Sequence, residues 1–290
     1  RIQFLANWSL ISERIGNSVL AIEQLQKTRD YIDNAFQRVA ETPGGVSFGV
    51  DNKVKPSLEI LAFRSAIDHN LARLLIANNQ RTRGLKVLKE LLNFESESLL
   101  QSPSNLALQS QYQKTATTLQ SMFDGSGRSN KAIEVASKWI LFAKELLEAN
   151  PADGLAMMFL TKAYHQFGHL LEKYGRRDEA LAVYQKALDV CAQASDRSVV
   201  SAQLLYQQVE LQMHRFHLEL PTSDIQQTKD NFLVALNTAL RLGFFTKSDS
   251  PERVATRGQL QRGIDALVQA GLDQEAQELR AKIKEFEDLP

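Results

Sequence analysis

The chain has 290 residues, enough for one large domain or two ordinary ones, and its hydrophobic fraction of 43% suffices for a sizeable core. Its 34 Lys and Arg residues equal its 34 Asp and Glu residues, so no bulk charge favours binding to nucleic acid or an anionic membrane. Cys191 is the single cysteine, which excludes an intrachain disulfide. No apolar run reaches the roughly 18 residues of a membrane span.

Residue usage predicts an almost entirely helical chain. The 7 prolines and 14 glycines lie between periodic segments, and good helix formers fill most of the remainder. The short stretch VSFGV at 46–50 is the exception, and it lies in a long segment without helical signals at 41–56.

Residues 1–57 form the first predicted domain, a long helix followed by a loop. Apolar side chains recur there on a seven-residue repeat: Trp8, Ile11, Ile15, Ile22, Leu25, Ile32, Phe36 and Val39. Two interpretations remain open. The seam packs onto the helices that follow, or it forms a homodimer through residues 8–39.

Residues 58–290 form the second predicted domain, an array of about five helical hairpins. The predicted helix pairs are 58–77 with 82–97, 103–123 with 129–149, 151–174 with 177–194, 196–219 with 223–242, and 251–270 with 273–287. Proposed helix starts are Ser102-Pro103, Asn150-Pro151, Ser223, Ser250-Pro251 and Asp273. Proposed helix stops are Gly175, Gly243 and Gly271. The short connections predict antiparallel neighbours.

One hairpin carries a recognisable motif. Residues 164–171 place Tyr164, Phe167, Gly168 and Leu171 on one helical face, and the next helix has Ala180-x3-Tyr184-x2-Ala187. This pattern resembles the tetratricopeptide repeat (TPR), in which small residues let paired helices approach closely and aromatic rings fill the space. The resemblance implies an all-α fold, an α-solenoid of stacked antiparallel hairpins preceded by the long N-terminal helix. The other four hairpins match the motif weakly.

The TPR resemblance also implies a ligand groove lined by the first helix of each hairpin. The corresponding positions are His69 and Arg73 in the first hairpin, Lys114, Thr117 and Ser121 in the second, and Lys162, His165 and His169 in the third. Such a groove favours an acidic protein or peptide segment, and histidines that gain a proton would strengthen binding towards pH 6. The alternative is that these are ordinary solvated residues.

Catalytic motifs are missing from the sequence, so we predict no catalytic residues, no cofactor and no metal. GSG at 125–127 falls between helices and is no phosphate-binding loop. His165 with His169, and His214 with His217, share helical faces, and a metal-dependent helical enzyme using His165 and His169 is the alternative from another class.

The predicted function is a non-enzymatic scaffold for proteins or peptides. The layout of helix, loop and hairpin at 29–75 loosely resembles the C-terminal TPR region of large bacterial serine/threonine kinases. That context implies a sensor or docking region and a kinase upstream of Arg1; a free-standing adaptor or assembly factor is the alternative. The sequence leaves the compartment open between cytoplasm and periplasm, with a membrane tether through an upstream segment as a further arrangement.

Overall fold

The computed structural model describes residues 13–14, 16–41, 58–196, 202–221, 224–241 and 251–287. Across these ranges the regular structure is α-helical, in eleven helices. They are α1 (Ser18–Glu41), α2 (Leu58–Ala77), α3 (Arg81–Gln101), α4 (Leu106–Asp124), α5 (Ser129–Ala149), α6 (Gly154–Lys173), α7 (Arg177–Asp196), α8 (Ala202–Glu219), α9 (Ile225–Arg241), α10 (Pro251–Gln269) and α11 (Asp273–Glu287). The predicted all-α fold of stacked helical hairpins is confirmed.

Packing divides the chain into two compact units. Unit 1 is Arg1–Val135 and unit 2 is Ala136–Pro290, so the division falls inside α5. In unit 1, α2 pairs with α3, and α1 and α4 pack beside this hairpin. In unit 2, α6 pairs with α7, α8 with α9, and α10 with α11. The predicted domain boundary after residue 57 adjoins residues 42–57, which lie outside the described residues.

The described part of the N-terminal apolar seam packs within the chain. Ile22, Leu25 and Ile32 are buried, and α1 contacts α2. This is the first of the two interpretations of the seam, and it leaves these three side chains covered rather than available to a second copy. The side chains of the other five seam residues lie outside those that the structure describes.

A network of charged side chains joins α1 to the first hairpin. The fully buried carboxylate of Asp68 accepts a hydrogen bond from Arg64 Nε at 2.8 Å and lies 3.1 Å from Arg29 Nε. Arg64 also pairs with Asp33, and Arg29 pairs with Glu90 at 2.6 Å. Burial disfavours the Arg64 charge, but hydrogen bonds to Asp33 and Asp68 outweigh it and raise the pKa of the guanidinium. Both arginines thus have a buried and a more exposed carboxylate partner.

Two predicted helix starts are wrong by a few residues. Ser102 ends α3, and α4 is capped instead by Asn105, whose side chain accepts from the Leu108 N–H at 3.0 Å. Asp153 takes the corresponding place before α6, three residues after Asn150. In both cases the residues after proline form a turn, and a nearer Asn or Asp side chain satisfies the first free N–H groups of the helix.

Of the remaining predicted helix ends, two agree with the structure, one is displaced and three lie outside the described residues. Gly175 and Gly271 adopt φ of 70° and 77°, the left-handed conformation expected of helix stops. Asp273 lies inside the first turn of α11 rather than before it. Ser223, Gly243 and Ser250 lie outside the described residues.

Aromatic side chains fill the core of unit 2. Trp139 of α5 packs against Phe159 of α6 with ring centroids 5.7 Å apart, and Phe216 of α8 packs against Phe232 of α9 at 5.5 Å. At Gly263 of α10 a Cβ atom would lie 2.6 Å from the Phe232 ring, so glycine permits the close approach of α10. Among the described residues, no helix is long and apolar enough to span a membrane.

Candidate functional site

The motif-bearing hairpin α6–α7 contains a close contact between a glycine and a ring. A Cβ atom at Gly168 would lie 2.3 Å from Tyr184 Cε1, so the ring occupies the space that a larger residue would need. Tyr184 is fully buried, and its hydroxyl donates to Glu172 Oε2 at 2.9 Å. Of the other positions singled out for repeat packing, Tyr164, Leu171, Ala180 and Ala187 are buried and Phe167 is half-buried.

Three histidines meet where α6 faces α8, and we call them the histidine cluster: His165, His169 and His214. The His214 ring centroid lies 5.1 Å from that of His165 and 5.9 Å from that of His169. Two acidic residues flank the cluster. Glu172 Oε2 lies 3.2 Å from His214 Nδ1, and Glu210 Oε2 lies 3.9 Å from His165 Nδ1. Each helix therefore supplies a histidine to one contact and a glutamate to the other.

Burial and repulsion from the neighbouring histidines determine the protonation of His165. Desolvation, followed by the neighbouring His214 and His169, lowers the pKa of His165 to about 3. Burial opposes ionisation of Glu172, but the hydrogen bonds from His214 and Tyr184 outweigh it and lower the pKa of its carboxyl. At neutral pH the site therefore holds an uncharged His165 beside an ionised Glu172.

Neighbouring residues complete the polar surface on this side of unit 2. Lys162 is half-buried, and desolvation lowers its pKa although Glu210 favours its charge. The Tyr206 hydroxyl donates to Glu210 Oε1 at 2.7 Å. Desolvation also lowers the pKa of His217, one helical turn beyond His214. His169 is exposed and is the member of the cluster open to solvent.

The candidates of unit 1 lie on α2 and α4. The half-buried His69 of α2 bonds through Nε2 to Thr115 Oγ1 of α4 at 3.0 Å. Exposed Arg73 pairs with Glu13 at 2.7 Å, and Lys114 is exposed close enough to His69 to disfavour its protonation. Burial, followed by Lys114, lowers the pKa of His69 to about 4.

Thr117 and Ser121 are less distinctive members of this surface. Thr117 is half-buried, and its hydroxyl donates to the Gln113 carbonyl at 2.9 Å within its own helix. Ser121 is exposed one turn further along α4. Of the two, Ser121 is the one open to a ligand.

A buried carboxyl lies beneath the His69 contact. Glu95 of α3 is 2% exposed, and its Oε1 accepts a hydrogen bond from Ser65 Oγ at 2.8 Å. Burial raises the pKa of Glu95 to about 7, against the opposing effect of hydrogen bonds from Thr115 and Ser65. This carboxyl therefore holds a proton over much of the acidic range.

We expect Glu95→Gln to stabilise the protein more at pH 8 than at pH 5. The folded state favours protonated Glu95, so this contribution to stability is present below the unfolded pKa of 4.5 and is lost as pH rises through about 7. At about 1.4 kcal/mol per pKa unit, the stability difference between variant and wild type should grow by about 2–3 kcal/mol from pH 5 to 8. Urea unfolding at both pH values measures it.

Glu97→Gln is the matched control for this comparison, since Glu97 is exposed on the same helix. Its stability difference from wild type should vary little with pH. If Glu95→Gln behaves like Glu97→Gln, Glu95 is ionised in the folded protein at neutral pH.

The structure revises the charge of the predicted groove. His69 and His165, with pKa values of about 4 and 3, are neutral at pH 6 as well as at pH 8. Those two histidines therefore provide no added attraction for an acidic segment near pH 6, contrary to the sequence-based expectation. The eight candidates divide between unit 1 and unit 2, and a common groove across them remains a prediction.

The histidine cluster lacks the arrangement of side chains that a metal site needs. Among the described residues, no group of three or more His, Cys, Asp or Glu side chains is arranged to hold a metal ion. Cys191 is buried, and desolvation raises the pKa of its thiol to about 12, so it is a poor nucleophile.

Sequence comparisons identify no family: no family model matches the chain, and no curated protein matches it. Solved structures show distant similarity. A Rap protein complexed with competence and sporulation factor has a TM-score of 0.43 and 12% identity over 98% of this chain and 68% of that one. MamA AMB-1 has a TM-score of 0.30 and 16% identity, over 88% of this chain and 97% of that one. A monomeric IFIT1 mutant with Gppp-AAAA has a TM-score of 0.29 and 12% identity, over 98% of this chain and 76% of that one. All three TM-scores are below 0.5, so no function is assigned from them.

Proposed function

We propose that the chain is a non-enzymatic scaffold that binds protein or peptide segments on the first helices of its hairpins. The observation that carries this proposal is the cross-helix polar contact within each unit. His69 of α2 meets Thr115 of α4, and His165 of α6 lies beside Glu210 of α8. First helices of successive hairpins thus place polar side chains on shared surfaces, as an extended ligand requires.

Acidic segments are the proposed ligands. Arg73 and Lys114 are exposed cations on the unit 1 surface, and Lys162 is a half-buried cation on that of unit 2. Each exposed pair contributes about 0.2–1 kcal/mol, so several contacts must act together and salt should weaken binding. His69 and His165 are neutral at both pH 6 and pH 8, so these two histidines should add no affinity for an acidic segment at pH 6.

A peptide array with graded Asp and Glu content, followed by calorimetry, tests this function. We expect acidic peptides to bind, and Arg73→Ala or Lys114→Ala to weaken binding by about 1.5- to 5-fold each, the equivalent of one exposed pair. Lys86→Ala is the control, because Lys86 is an exposed lysine on the second helix of the first hairpin. A preference for basic or apolar peptides, with affinity unaffected by the two variants, would contradict the proposal.

The cellular context is a separate part of the proposal. The sequence pattern of residues 29–75 is the support for a sensor or docking region of a larger bacterial serine/threonine kinase, with a free-standing adaptor or assembly factor as the alternative. Reading the gene upstream of Arg1 distinguishes them: a kinase domain in the same reading frame supports the first, and a start codon close to Arg1 supports the second.

A further inference from the structure

We propose that the histidine cluster makes the contact between α6 and α8 acid-sensitive, so that a proton taken up by His165 separates the third hairpin from the fourth. The geometry is reciprocal: α6 supplies His165 and Glu172, and α8 supplies Glu210 and His214. The proposal concerns the joint between two hairpins and is independent of what the scaffold binds.

His165 is poorly placed to carry a positive charge while the helices stay together. Its side chain is 14% exposed, and its ring lies 5.1 Å from that of His214, centroid to centroid. The nearest carboxylate oxygen, on Glu210, is 3.9 Å away, too far for a charge-assisted hydrogen bond. From α7 it faces the Tyr184 ring at 6.2 Å, which brings no charge. The low pKa of His165, about 3, agrees with this geometry.

Other charged groups around the cluster do not offset this cost. Glu172 Oε2 already lies 3.2 Å from His214 Nδ1 and accepts a hydrogen bond from the Tyr184 hydroxyl, so it is engaged away from His165. Glu210 accepts a hydrogen bond from the Tyr206 hydroxyl and interacts electrostatically with Lys162. From α10, Arg262 adds positive charge near His217. A proton on His165 would therefore enter a region that already contains cations and further imidazoles.

Opening of the joint returns His165 to water, where an imidazole ordinarily titrates near 6.5. Because the folded value is depressed, the stabilising contribution of neutral His165 is fully present above about pH 6.5 and is lost as pH falls towards about 3. One proton is taken up on opening. The equilibrium constant for opening should therefore rise about tenfold for each pH unit below about 6.

Hydrogen exchange of the backbone amides of α6 and α8, corrected for intrinsic rates, measures this opening between pH 7.5 and 5.0. His165→Phe keeps a ring in place but cannot be protonated. We plot the base-ten logarithm of the opening constant against pH for both proteins. The slope should be shallower in the variant than in the wild type, by about one logarithmic unit per pH unit. Burial also lowers the pKa of His217, so this residue leaves a residual slope in both proteins, and the difference between the two slopes reports His165.

His169→Phe is the matched control, since His169 is the exposed ring of the cluster, and it should retain the wild-type slope. Amides of α2 and α3 should be unaffected by either variant. Equal slopes in wild type and His165→Phe would overturn the proposal. If His165→Phe fails to fold, NMR of the histidine rings in the wild type decides. Titration of His165 near pH 6.5 while the α6 and α8 amides stay protected refutes the proposal. A His165 ring that stays neutral down to the onset of opening supports the proposal.

Discussion

Asp68→Ala is expected to lower the free energy of unfolding by about 3–5 kcal/mol, the cost of leaving buried charges without their partner. The Asp68 carboxylate is fully buried and contacts both Arg64 and Arg29. The side chains of Arg64 and Arg29 are only 6% and 12% exposed, so water replaces the lost carboxylate poorly. Asp33 and Glu90 remain as partners, which places the expected loss towards the lower end.

Chemical denaturation measures this loss, with Asp30→Ala as the matched control. Asp30 lies on α1 and is exposed, with a hydrogen bond from Gln26, so its removal should cost less than about 0.5 kcal/mol. Replacing Arg29, Arg64 and Asp68 together with apolar residues separates the effect of unpaired charge from the effect of lost packing. In Arg29→Met/Arg64→Met/Asp68→Leu, apolar side chains fill the space, and stability should return close to wild type. A loss as large as that of Asp68→Ala would show that shape, not unpaired charge, explains the cost.

Helix positions were predictable because apolar periodicity and turn residues act locally. Gly175 illustrates this: a glycine after an apolar periodic segment predicted a helix stop, and its φ is 70°. The errors came from competition between local signals. Asn105 and Asp153 cap helices in place of Ser102 and Asn150, because the chain forms a turn after each proline before a polar side chain caps the helix. Sequence spacing does not reveal which of two nearby caps is used.

The sequence placed His165 and His169 on one helical face, but it did not reveal what that face meets. The contacts of His165 with Glu210 and of Glu172 with His214 form only because α8 packs beside α6. The α8 residues lie some 40 positions later in the chain than their partners. The same limitation explains the wrong expectation for pH. A histidine on an exposed groove is expected to gain a proton near pH 6, whereas neighbouring helices bury His165 and lower its pKa to about 3. Burial is set by tertiary packing, which periodicity alone does not describe.

Tyr184→Ala should lower the free energy of unfolding by about 3–5 kcal/mol, the range for a large aromatic removed from a core. The ring is fully buried between the helices of the third hairpin, and it stacks on His214 of the next hairpin at 5.2 Å. Its loss would leave a cavity and remove the hydroxyl that donates to Glu172. Tyr184→Phe keeps the ring and removes only that donor. Its cost should be about 1.5–3 kcal/mol, the value for a hydrogen bond to a charged group.

A double-mutant cycle with Gly168→Ala tests whether the close contact of glycine and ring specifies this hairpin. In the wild type the added methyl would lie 2.3 Å from Tyr184 Cε1, so we expect overpacking to cost about 1–3 kcal/mol. In the Tyr184→Ala background the ring is gone, and the same substitution should be neutral or stabilising, since alanine favours helix by about 1 kcal/mol over glycine. A coupling of about 1–3 kcal/mol from urea denaturation of the four proteins is therefore expected. Additive costs would mean that helix α6 accommodates the methyl group elsewhere and that the small residue at 168 does not set the distance between α6 and α7.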